Sequence, residues 1–163
     1  MSSAYVAKLE NYVEGRDFMA MQREMPQLLA DAIANVPPDR LRLSPAPGKW
    51  SVLQILAHLA EDELVTTWRY RQMIENPGVL LPGFDQDLWA NVGRYSAWTL
   101  EEALSMFRLL REANLRMLAH LTEDQWQSVG IHGERGPMNV RSLARHMAGH
   151  DRNHLDQIRR ILS

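Results

Sequence analysis

Four clusters of proline and glycine, "NVPPDR", "LSPAPGKW", "NPGVLLPG" and "HGERGP", divide the chain into long segments whose apolar residues recur at helical spacing. No segment sustains the two-residue alternation of a half-buried strand. The chain is therefore expected to be all-α. The first helical region covers roughly Ala4 to Ile33, with Gly15 and Pro26 as candidate breaks, Pro26 being suited to the first turn of a new helix. A second starts near Ser51, a capping residue, and ends at Asn76-Pro77-Gly78. The third opens at Thr99 with Glu102 three residues on, a capping box, and reaches about Leu121; Thr122 and Gln125 repeat the pattern. The last runs from about Val140 to Ile161. Four long amphipathic helices bury their apolar faces best against one another, as a four-helix bundle. The Pro77 to Trp98 connection is long for a bundle and rich in aromatics, as befits a cover over the core or over a site.

A length of 163 residues suits one domain, taken as residues 1–163. A formal charge of -2, with Lys and Arg scattered, argues against nucleic acid or an anionic membrane as the partner. The amino-terminal stretch lacks the basic-then-apolar order of a signal peptide, and no apolar run approaches membrane length, so a cytoplasmic location is expected. There is no cysteine, which leaves nitrogen and oxygen as metal donors and requires any thiol to come from outside.

Half of the six histidines fall within "HMAGHDRNH". On a wheel of about 100° per residue, His150 and His154 lie within about 20° of Leu143 and Ile161, in the middle of the apolar stripe. They face inward, one turn apart. Neutral imidazoles in that position need partners for both ring nitrogens, and a shared divalent cation supplies one. From spacing alone, a metal pair and a hydrogen-bonded core pair weigh the same. His146, at the edge of the stripe, reads as a rim residue. Asp151 stands where a zinc-protease helix carries glutamate, so the HExxH signature is absent. A centre needs a third ligand from elsewhere. His132 reads as a solvated loop residue and His120 as a complement to a helix C-terminus. His58 belongs to a narrow polar strip with Ser51, Gln54, Asp62 and Arg69, on a helix apolar over most of its circumference. Periodicity leaves open whether that strip faces solvent or an internal pocket.

The segments "APGKWSVLQILAHLAEDE", "GFDQDLWA" and "GIHGERGPMNVRSLARHMAGHDRNHLDQI", in this order, resemble the DinB/YfiT-like superfamily over about Arg16 to Ile161. The resemblance implies an up-down-down-up four-helix bundle and, in many members, a divalent metal held by three histidines. Carried over by motif, these are His58, His150 and His154, all present. An internal site then follows for the polar strip of the second helix. Asp62, one turn after His58, is a candidate to orient a ligand, hold a water or act as a base, and Gln157 is a candidate second support.

The resemblance implies one chemistry, transfer of a low-molecular-weight thiol, whose thiolate a metal stabilises. An open metal site would serve equally for hydrolysis of a small-molecule ester, amide or halide by a metal-bound hydroxide. The metal is a divalent transition ion: Ni, Zn, Co, Fe or Mn. Set against a metal-dependent enzyme are a non-enzymatic metal-binding or stress-related bundle and a metal-free structural bundle. An enzyme should have a reachable cavity lined by residues such as Phe84, Asp85 or Trp89; no basic cluster marks a phosphorylated thiol, and Arg69, Arg71 and Arg94 are the candidate cations near a pocket. A homodimer is a further expectation from the resemblance.

Overall fold

A computed structural model of the chain describes residues 3–163. Among these residues, four long helices form the bundle: α2 (Phe18–Ile33), α4 (Val52–Glu75), α6 (Leu100–Leu118) and α8 (Val140–Leu162). Short helices α1 (Ser3–Val13), α3 (Pro38–Arg42), α5 (Gln86–Val92) and α7 (Glu123–Trp126) occupy the connections, as do strands β1 (Val79–Leu81), β2 (Val129–His132) and β3 (Gly136–Asn139).

The helix starts follow their local chemistry. Ser51 and Gln54 form a reciprocal capping box on α4, as do Thr99 and Glu102 on α6. Asp17 caps α2 by accepting from the Met19 and Ala20 N–H groups. The first helical region breaks at Gly15, whose φ of 66° suits a residue without a Cβ. It does not break at Pro26, which lies inside α2. A proline there removes the bond to the carbonyl four residues back. That carbonyl, of Gln22, instead accepts from Arg111 Nη1 at 3.2 Å, so the helix continues.

Paired contacts give the directions of the helices. Glu63 bonds Arg111 and Thr67 bonds Asn114, so α4 and α6 run parallel. Gln22 bonds the Ala144 carbonyl while Ile33 and Ile158 share a cluster further along, so α2 and α8 are also parallel. His58 meets His150 while Thr66 meets Met147, so α4 opposes α8. The order is up-down-down-up. Because α4 and α6 point the same way, the chain must return the length of the bundle between them, which is why the connection after Glu75 is long.

That connection is not a bare loop. It holds β1, α5 and a 3-10 turn at Tyr95–Ala97. β1 pairs in parallel with β2, and β2 pairs antiparallel with β3. This small sheet departs from the strandless reading of the sequence, since runs of three or four residues are too short to display a period. Gly130 lets β2 sit tightly on α4: a Cβ there would lie 2.8 Å from Met73 Cγ and 2.7 Å from Leu81 Cδ1.

Two apolar clusters fill the bundle. One gathers Met25, Leu29, Ile55, Leu59, Phe107 and Ile158; the other gathers Tyr70, Met73, Leu81, Leu118, Leu143 and Met147. Along every long helix the residues between these clusters are polar and buried: Gln22, then His58, Asp62 and Glu63, then Arg111 and Asn114, then His150, Asp151 and His154. The bundle therefore carries a polar layer across its middle.

Candidate metal centre

Half of the polar layer is an ion network. Arg111, fully buried, donates to Glu63 at 2.7 Å and to Asp151 at 2.6 Å, while Asn114 donates to the second Glu63 oxygen at 2.9 Å. Burial pushes the Asp151 carboxyl up to about 6 against the pull of Arg111.

The other half is histidine. His58 on α4 and His150 and His154 on α8 are all buried, and their ligand nitrogens lie within 4.8 Å of one another. His150 Nε2 is 3.1 Å from His154 Nε2 and 3.4 Å from His58 Nε2. The ring of Trp50 packs on His58, with centroids 5.0 Å apart. Burial lowers all three pKa values, that of His154 to about 3, so the rings are neutral at pH 7.

The remaining ring nitrogens bear on the tautomers. Gln157 Oε1 lies 2.9 Å from His154 Nδ1 and can only accept, so Nδ1 carries the proton and Nε2 presents a lone pair. His150 Nδ1 is buried without a hydrogen-bond partner and faces Asp62 Oδ2 at 3.6 Å. A proton on His150 Nε2 serves one neighbour and leaves Nδ1 a lone pair turned to a carboxylate. With the proton on Nδ1 instead, the Nε2 lone pairs of His150 and His154 face each other at 3.1 Å, with His58 Nε2 at 3.4 Å, an arrangement that a cation satisfies. Tetrahedral ligation with metal–nitrogen bonds of about 2.0–2.1 Å sets nitrogens about 3.3 Å apart. The separations of 3.1 and 3.4 Å bracket that value. The donor set fits a divalent transition metal.

A cavity of about 70 Å³ opens beside the histidines, lined by His58, His150, Asp62, Arg69, Phe84 and His146 among others. The polar strip of α4 thus turns inward. Burial pushes the Asp62 carboxyl up, with His58 and Arg69 drawing it back. His146 stacks 6.3 Å from His150, outside the three-nitrogen cluster, and burial lowers it to about 3. Of the expected loop residues, Phe84 reaches the cavity. Asp85 caps α5 instead, and Trp89 stacks on Phe84 at 4.4 Å toward a neighbouring groove. Of the expected cations, Arg69 lines the cavity. Arg71 is exposed, bonding the Thr67 carbonyl, and Arg94 borders a separate groove with Trp98.

His132 corrects its reading as a solvated loop residue. It is 5% exposed, ends β2 and lines the cavity with Arg135. The pairing of β2 with β1, far away in sequence, buries it. The period-two burial of "VGIH" is the one local trace, and four residues are too few to read it.

Comparison with known proteins gives a consistent picture. The family model described as the DinB superfamily matches residues 22–158. A relative in Oceanobacillus iheyensis, bearing the name "putative metal-dependent hydrolase", is 24% identical over 135 residues, spanning 83% of this chain and 78% of its own. One of the same designation in Bacillus licheniformis is 28% identical over 141 residues, spanning 84% and 78%. The solved structure of YfiT from Bacillus subtilis, described as "a probable metal-dependent hydrolase with an unusual four-helix bundle topology", superposes with a TM-score of 0.82 at 17% identity. The match covers 99% of this chain and 87% of that one, and it shows a shared fold. The extent of the family match, together with this bundle, shows that the chain belongs to the DinB superfamily.

Proposed function

We propose that His58, His150 and His154 hold one divalent transition metal through their Nε2 atoms, and that the chain is a metal-dependent enzyme acting on a small molecule, most directly a hydrolase. The observation that carries this reading is the approach of Nε2 atoms at 3.1 and 3.4 Å while His150 Nδ1 lacks a partner. The designation of the relatives supports hydrolysis over the alternative, transfer of a low-molecular-weight thiol. A metal at this point supplies Lewis acidity, polarising a substrate carbonyl and acidifying the nucleophile.

The protein's own groups do the rest. Gln157 keeps the proton of His154 on Nδ1. Asp62 Oδ2 faces His150 Nδ1 at 3.6 Å and, lining the cavity, is the candidate to accept a proton from an incoming nucleophile. The cavity beside the cluster favours an enzyme over a purely structural metal site, which would be closed.

Elemental analysis of purified, untagged protein tests the proposal. One metal per chain is expected in the wild type, lost in His58→Ala and in His154→Ala. A protein that takes up neither Ni, Zn nor Mn on reconstitution overturns it.

A further inference from the structure

Two arginines line the cavity beside the histidine cluster. Arg69 projects into it from α4 and Arg135 from the turn between β2 and β3. Arg69 is 5% exposed. One of its terminal nitrogens donates to the Pro82 carbonyl at 2.7 Å, and its guanidinium carbon lies 5.8 Å from the Phe84 ring centre. Arg135 reaches the Met138 sulfur at 3.8 Å, a weak contact. The Nε–H groups of both are buried without a hydrogen-bond partner. Two guanidiniums with unused donors beside one small cavity form a fork suited to an oxyanion.

The acidic groups at the cavity are Asp62 and Glu134. These match the two arginines in number, so a divalent cation on the histidines leaves two positive charges in excess. Nearby, the Glu134 N–H donates to His132 Nδ1 at 3.2 Å, which puts the proton of that neutral ring on Nε2 and adds a donor. Size narrows the choice. About 70 Å³ is well above the roughly 10–15 Å³ that one water needs, which leaves room for a carboxylate and a short chain.

We propose that this cavity receives the carboxylate of a short acidic substrate, held between Arg69 and Arg135, with the reacting bond a few atoms away and directed at His58 and His150. The proposal rests on the metal-enzyme reading and names the substrate class for that site. Arg69 and Arg135 are its specificity-determining residues.

Calorimetric titration tests this, with propionate, propionamide and inorganic phosphate as probes. Each is titrated into metal-reconstituted wild type, metal-free wild type and Arg135→Gln. Arg135 is the cleaner position, since Arg69 also anchors Pro82. Propionate is expected to bind the reconstituted protein, with propionamide at least about tenfold weaker. Arg135→Gln is expected to weaken propionate by at least about tenfold, with metal content and melting temperature unchanged. Equal propionate affinity in wild type and Arg135→Gln overturns the assignment, as does tighter binding of phosphate than of propionate. The metal-free arm separates the two proposals. Propionate binding to metal-free protein that Arg135→Gln abolishes supports the arginine fork even where no metal loads.

Discussion

Gln157 is the residue on which the orientation of His154 turns. Its amide oxygen holds Nδ1–H at 2.9 Å and so directs Nε2 at the other two rings. Outer partners of this kind typically govern metal affinity by about 10–100-fold. Gln157→Leu is expected to weaken metal binding by about that factor in competition with a chelator, and Gln157→Glu to restore it. An unchanged affinity in the leucine variant would mean that packing alone sets the ring. The inward direction of His150 and His154 was legible because α8 is strongly amphipathic and both sit among Leu143, Met147 and Ile158. His58 was not legible from its own helix. α4 is apolar over most of its surface, and which part of its polar strip meets α8 is decided by a partner about ninety residues away. His132 and Arg135 likewise depend on the pairing of segments distant in sequence, β2 with β1.

At the scale of elements, Arg111 on α6 connects α4 through Glu63, α8 through Asp151 and α2 through the Gln22 carbonyl. The last bond exists because Pro26 has no N–H. Arg111→Met would leave two buried carboxylates without their cation and one carbonyl without a donor. A loss of about 3–5 kcal/mol is expected in urea unfolding. Replacing Arg111, Glu63 and Asp151 together by apolar residues of similar volume should cost less than the single change. The ends of α4 and α6 could be read directly, because capping boxes are made by neighbours three residues apart. The continuity of α2 through Pro26 could not. It depends on a guanidinium supplied by another helix, and an isolated reading of the proline favours a break.

Over the whole molecule, the buried histidines make stability depend on pH. Burial lowers His146 and His154 from the ordinary 6.5 to about 3, His132 to about 4, and His150 well below its usual range. An unfolded chain therefore takes up protons below about 6.5 that the folded protein refuses, so stability is full above that pH and falls as the pH drops toward the folded values. Asp151, raised from 3.8 to about 6, and Asp62, also pushed up by burial, work in the opposite sense, but the histidines outnumber them. Metal-free protein is expected to lose stability between pH 7.5 and pH 5.0 in urea titrations, by more than the roughly 2 kcal/mol that a single such histidine contributes. A gain would contradict the neutral state of the cluster. Saturating metal should move the acid transition lower, by competing with protons for the same nitrogens. The parallel course of α4 and α6 has one more consequence. The three histidines stand on helices whose spacing is set by the core, whereas Phe84 and Arg135 stand on the returning connection and the hairpin turn. Insertions or substitutions in those two segments change what the cavity admits without shifting the register of the histidines. Natural variation can thus reshape the cavity while inheriting the histidine cluster intact.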